Sequence, residues 1–130
     1  CVKVCDEVQG VGAIDYAYKG FATKICPPFE RDLSCEFCGQ CITVCPTGAL
    51  VSKPSLGKGR QQDIRKVATI CPYCGVGCDL EVHVQDNSIV KVTSPSDNEV
   101  TSGHLCIKGR FGFQFVQSRA PEPPPGGKPA

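Results

Sequence analysis

With 130 residues the chain has room for one ordinary domain or two small ones. A formal net charge of +1 offers no basic footprint for nucleic acid and no acidic tail, and six Phe, three Tyr and no Trp leave little material for a large apolar core. Eleven cysteines are the obvious staples, and their odd number and tight bunching argue against a secreted disulfide framework.

The chain opens on Cys1-Val2-Lys3-Val4-Cys5, the C-x3-C half of a four-cysteine string whose first half is missing, and no Met occurs anywhere; the chain therefore reads as truncated at its N-terminus. Ala13–Lys19 and Phe21–Ile25 flank Gly20 and predict a short hairpin. Cys26 precedes Pro27 with no cysteine within three residues. It is open to two readings, a small buried hydrophobe or a substitute ligand for an incomplete cluster. Next comes Cys35-x2-Cys38-x2-Cys41-x3-Cys45-Pro46, with a helical turn predicted from Cys41 to Cys45 that Pro46 and Gly48 interrupt. Four cysteines in eleven residues suit zinc poorly, because zinc sites separate their C-x2-C pairs by longer loops. They suit a [4Fe–4S] cubane well: three thiolates wrap one cluster, and the fourth, before proline, serves the other cluster of a two-cluster ferredoxin. Crossed ligation of this kind assigns Cys5 to the set Cys35, Cys38 and Cys41. It leaves Cys1 and Cys45 as two ligands of a further, incomplete cluster.

Lys53 to Lys66 carries five basic residues against one acidic, with two Gly and a Pro, and reads as a solvated linker. Beyond it, Cys71-x2-Cys74-x3-Cys78 is followed after 27 residues by Cys106, again three thiolates from one loop and one from afar. Gly75 and Gly77 let the backbone approach a cluster closely, although this spacing alone also admits zinc. Leu80, Val82 and Val84 alternate with Glu81, His83 and Gln85, and the turn Gln85-Asp86-Asn87-Ser88 leads into Ile89–Thr93, a hairpin with one apolar face. His83 falls on its polar face and is expected to be exposed; His104, in a loop, is open to two readings, a ligand or an exposed side chain, and the exposed one is taken. Lys108 and Arg110 read from spacing alone as a solvated basic turn. The last residues, PEPPPGGKPA, have no means of building a core.

The expected organisation is a ferredoxin-type 4Fe–4S domain at 1–52, a linker at 53–66, a second 4Fe–4S domain at 67–117 and a Pro/Gly-rich tail at 118–130. The fold class is α+β: small iron–sulfur modules, a truncated two-cluster ferredoxin-like block followed by a hairpin-containing one. No catalytic acid–base set stands out. The longest uncharged run, residues 37–52, falls short of the roughly 20 apolar residues of a membrane span.

CPYCGVGC followed by GHLCIKGRFGFQFV resembles the N-terminal iron–sulfur segment of molybdopterin oxidoreductases, and most of all the alpha (catalytic) subunit of formate dehydrogenases. CVKVCDEVQG and SCEFCGQCITVCPTGAL resemble the two-cluster ferredoxin module fused ahead of it in NAD-linked members. The resemblance implies that Cys71, Cys74, Cys78 and Cys106 hold the cluster nearest the molybdenum cofactor and that Lys108 lies between that cluster and the pterin. It also implies a parent that binds molybdopterin guanine dinucleotide with Mo or W and interconverts formate and CO2. The catalytic domain would lie outside this chain. Expected partners are the remainder of its own polypeptide and a redox subunit carrying flavin and NAD, or a ferredoxin, in a cytoplasmic setting without nucleic acid or membrane span. Assimilatory nitrate reductase shares CPYCGVGC and is the alternative within the class. A free-standing polyferredoxin carrier and a zinc-stabilised interaction module are alternatives outside it, and a simple carrier gives no reason for the second cysteine set and its KGR ending.

Overall fold

A computed structural model describes residues 1–118. Its first module begins with a wide helical turn, Val4–Val8, whose Cys5 N–H bonds back to the Cys1 carbonyl at 3.1 Å. The Cys5 carbonyl then accepts from Val11 at 2.9 Å and Gly12 at 3.3 Å, folding the chain back over the Cys5 thiol. Strand β1 (Asp15–Ala17) pairs antiparallel with β2 (Lys24–Cys26), placing Asp15 opposite Cys26. The expected hairpin thus forms, but each strand is only three residues long because a turn at Gly20–Ala22 occupies the connection. Helix α1 (Gln40–Thr43) is one turn starting from Gly39, whose φ of +75° only glycine adopts freely, and it stops before Pro46 as its sequence demands.

Short turns at Lys53–Ser55 and Gln61–Asp63 then cross to the second module. Arg65 and Lys66, read with the linker, already belong to strand β3 (Arg65–Ile70). With β4 (Asp79–Gln85) and β5 (Ser88–Thr93) it forms an antiparallel sheet in the order β3-β4-β5. Asp86 and Asn87 join β4 to β5 at φ of +47° and +59°, the two-residue turn whose twist matches that of the strands. Leu80, Val92, Leu105 and Cys71 make the buried apolar cluster, with Val82, Ile89 and Phe113 packed against it. Helices α2 (Ile107–Phe111) and α3 (Gln114–Gln117) close this side; Gln117 donates to the Ile89 carbonyl at 2.7 Å. Short helices beside two small antiparallel sheets make the fold α+β. Among the described residues no helix is long and apolar enough to cross a membrane. Apart from Ser118, the Pro/Gly-rich tail lies outside the described residues.

Three expectations about charged or polar side chains are corrected. His83 is 3% exposed, not on an open polar face. The reason is β3: it makes β4 the central strand, so His83 sits between Lys66 and Lys91 in the ladder, next to a bulge at His83/Val84. His104 is half-buried and hydrogen-bonded. Arg110, read as solvated, is 5% exposed, whereas its neighbour Lys108 is exposed.

Candidate metal centres

The turn after Cys1 and the loop before α1 bring four thiols of the first module to one place. Cys5, Cys35, Cys38 and Cys41 line a single cavity of about 250 Å³, walled by Val11, Ala13, Ile14, Leu33, Ile42 and Phe111 among others. Cys5 comes from far upstream of the other three, across the whole β1–β2 hairpin. The Cys41 thiol is raised chiefly by burial, although the Ile42 N–H works against it, and the charges of Cys38, Cys5 and Cys35 add to the rise. Burial together with mutual repulsion favours the neutral thiols in this apolar cavity, and a bound cation or cluster would draw them to the thiolate form. Backbone N–H groups already face the sulfurs: Ala13 donates to Cys5 Sγ and Phe37 to Cys35 Sγ, both at 3.4 Å. Such donors stabilise thiolate charge and raise the potential of a bound cluster.

In the second module Cys71 sits at the end of β3, with its N–H on the Cys78 carbonyl at 2.8 Å, which closes the Cys71–Cys78 segment into a loop. Burial comes first in raising the Cys78 thiol, followed by the charges of Cys71 and Cys74 and, least, that of Cys106. Gly77 takes φ +66°, and Gly109 on α2 passes close enough that an added Cβ would lie 3.8 Å from Cys71 Sγ. Cys71 is buried, Cys78 half-buried, and Cys74 and Cys106 exposed.

The remaining cysteines stand apart from these two sets. Cys1 is exposed at the first turn. Cys45 follows α1, where the Leu50 N–H, then the Thr47 hydroxyl, hold its thiol down to about 7. It lines a cavity of about 340 Å³ where the modules meet, together with Leu50, Lys91, Thr93, Arg110 and Phe113. Cys26 ends β2 beside Tyr18, Phe29 and Glu30. All eleven thiols are free. Among the described residues no three His, Cys, Asp or Glu side chains close to the spacing of a single metal ion. Four thiolate donors lining one cavity, as in the first set, are the donor chemistry a cubane takes, one on each iron.

Residues 1–51 match the NADH-quinone oxidoreductase subunit 3 ferredoxin-like domain, and residues 64–118 match the molybdopterin oxidoreductase Fe4S4 domain. Each match covers less than half of the chain, and the two lie one after the other along it. Relatives that match across both are larger oxidoreductases. NADPH-Fe(3+) oxidoreductase subunit alpha of Geobacter sulfurreducens is 42% identical over 91% of this chain and 14% of its own length. An NADH-quinone oxidoreductase subunit of Rhizobium meliloti is 42% identical over 92% of this chain and 14% of its own. A Staphylococcus aureus protein that carries the provisional name formate dehydrogenase is 31% identical over 91% and 16%. The chain thus spans about a seventh of the length of these relatives.

Sequence reasoning did not connect Gly39, Gln40, His104 and Arg110, which lie between the two cysteine sets. One signal was available: Arg110 lies four residues after Cys106, one helical turn from a proposed ligand.

Proposed function

We propose that the chain is an electron relay with one [4Fe–4S] cluster on Cys5, Cys35, Cys38 and Cys41 and another on Cys71, Cys74, Cys78 and Cys106. The observation that carries this reading is the cavity in which Cys5 joins the Cys35–Cys41 loop, which is the crossed set expected of a ferredoxin. Cubanes supply reversible one-electron chemistry when bound; the chain's contribution is to hold the thiolates, aim N–H groups at sulfur and limit water. Cys1 and Cys45 are on this reading two ligands of a further cluster, the other two of which the structure does not identify. Anaerobic reconstitution tests it: about eight irons per chain are expected from the two sets. Stoichiometric zinc in place of iron would overturn it.

For the parent protein, a molybdopterin-dependent oxidoreductase with Mo or W is proposed, with Lys108, exposed on α2 beside Cys106, as the cation facing the pterin. Its substrate is read as formate from the motifs, and the S. aureus relative supports this. The NADPH- and NADH-linked names of relatives at higher identity favour a second reading, a nicotinamide-linked complex that takes electrons from or gives them to a flavin-bearing subunit. Free thiols throughout accord with a cytoplasmic setting. Mixing the full-length parent anaerobically with formate, NADH or NADPH and following cluster reduction separates the two.

A further inference from the structure

Arg110 crosses from one module into the other. Its own N–H continues α2 by bonding the Cys106 carbonyl at 3.0 Å. Its side chain leaves the second module: Nε donates to the Cys38 carbonyl at 2.7 Å and Nη2 to Gln40 Oε1. Gln40, 3% exposed, turns its Nε2 to His104 Nδ1, and Gln9 Nε2 reaches the same nitrogen at 2.9 Å. Cys38 and Gln40 flank Gly39 in the first cysteine loop, Gln9 lies four residues after Cys5, and His104 lies two before Cys106. Each of these side chains is thus within one helical turn of a proposed ligand.

Gly39 shows how tight the crossing is. A Cβ there would overlap Arg110 Cδ, lie 2.9 Å from its Nε and meet Phe111 Cζ at 3.0 Å. The guanidinium therefore stacks on bare backbone. Burial lowers the Arg110 pKa, but a guanidinium stays protonated in proteins, and the charges of Cys38 and Cys41 support the cation. Among the described residues no carboxylate pairs with it. An unpaired buried cation is strongly unfavourable, and the groups whose ionisation would offset it are Cys38 and Cys41 of the first cavity.

We infer that Arg110 is a positioning residue that locks the Cys106 helix onto the Cys38–Gly39–Gln40 loop, and that its charge favours the reduced, more negative state of the first centre over the second. The inference rests on the proposed two-cluster reading. The step it governs moves one electron between the centres: as one is oxidised by a single unit, the other is reduced by the same unit, with no other reactant. The guanidinium fork matters as well as the charge, because only a planar donor set reaches the Cys38 carbonyl and Gln40 together.

The test uses the reconstituted chain and its Arg110→Gln, Arg110→Lys and Gly39→Ala variants, with iron content measured first. A wild-type chain that takes up no iron overturns the cluster reading itself, and this inference with it. With wild-type iron content, Arg110→Gln should move the electron distribution about tenfold away from the first centre, or about 59 mV for a one-electron couple. It should also lose the spin–spin broadening between the two reduced centres in electron paramagnetic resonance. Arg110→Lys should keep most of the potential difference and lose the broadening, as should Gly39→Ala. Unchanged potentials and broadening in iron-replete Arg110→Gln would overturn the inference. If that variant fails to hold iron, unchanged broadening in Arg110→Lys overturns it.

Discussion

His83 donates its Nε2 proton to Thr93 Oγ1 at 2.8 Å, and Thr93 passes its own proton toward Glu81 Oε2 at 3.2 Å. That relay fixes the neutral tautomer and leaves Nδ1 buried with no partner among the described residues. Burial first, then the charges of Lys91 and Lys66, hold the imidazole pKa below its ordinary value, with Glu81 opposing.

The pH dependence follows from that shift. The unfolded chain protonates this histidine at about pH 6.5, the native sheet only at lower pH, so between the two the unfolded state binds more protons. His83 therefore contributes its full stability above about pH 6.5, and loses it as pH falls toward the native pKa. Amide exchange in β4 and β5 should accelerate below that point, and His83→Gln should flatten the profile. A proton NMR titration placing His83 at or above its ordinary, unfolded-chain value contradicts this.

Substitution separates the two cysteine sets. Cys5→Ala should lower iron from about eight to about four per chain by emptying only the first centre, while Cys26→Ser leaves it unchanged. Iron analysis with Mössbauer spectroscopy distinguishes the outcomes, and an unchanged Cys5→Ala cluster spectrum contradicts the crossed set.

Loss of iron should unfold the modules unequally. Among the described residues Ala13 is the one buried hydrophobic side chain of the first, whereas the second keeps Leu80, Val90, Val92 and Leu105 under a three-stranded sheet. After chelation the first module should exchange its amides like an unfolded chain, and β3–β5 should retain protection. Leu80→Ala, which empties the centre of that cluster, should cost about 2–5 kcal/mol. Uniform protection after iron removal would show that the first module folds without metal.

Oxygen should discriminate in the opposite sense. The first set is half-buried throughout, while Cys74 and Cys106 of the second are exposed. Access governs oxidative attack on thiolate centres, so the second centre should bleach first in air. Following the two reduced signals by electron paramagnetic resonance after timed exposure checks the order.

The β4–β5 hairpin was legible because its signals are local: strict alternation and a two-residue turn. Grouping Cys5 with Cys35 was also readable, since the proline after Cys45 marks the crossed pattern. β3 was hidden because Arg65 and Lys66 open it with charges that resemble a linker. His83 was misplaced for the same reason, as a missing third strand turns a central position into an edge. Arg110 was missed because a lone charge beside a motif carries no mark of the backbone carbonyl, 72 residues away, that it will meet.

The bare backbone at Gly39 has a consequence for building with this chain. Its halves look like cassettes, each with its own cysteines and its own sheet. Yet a replacement first half with any side chain at that place would be pushed off the helix that carries Arg110, without a cysteine being touched. Grafting either half into another redox protein thus requires carrying over the glycine together with its arginine, a pair that no alignment of cysteines would select.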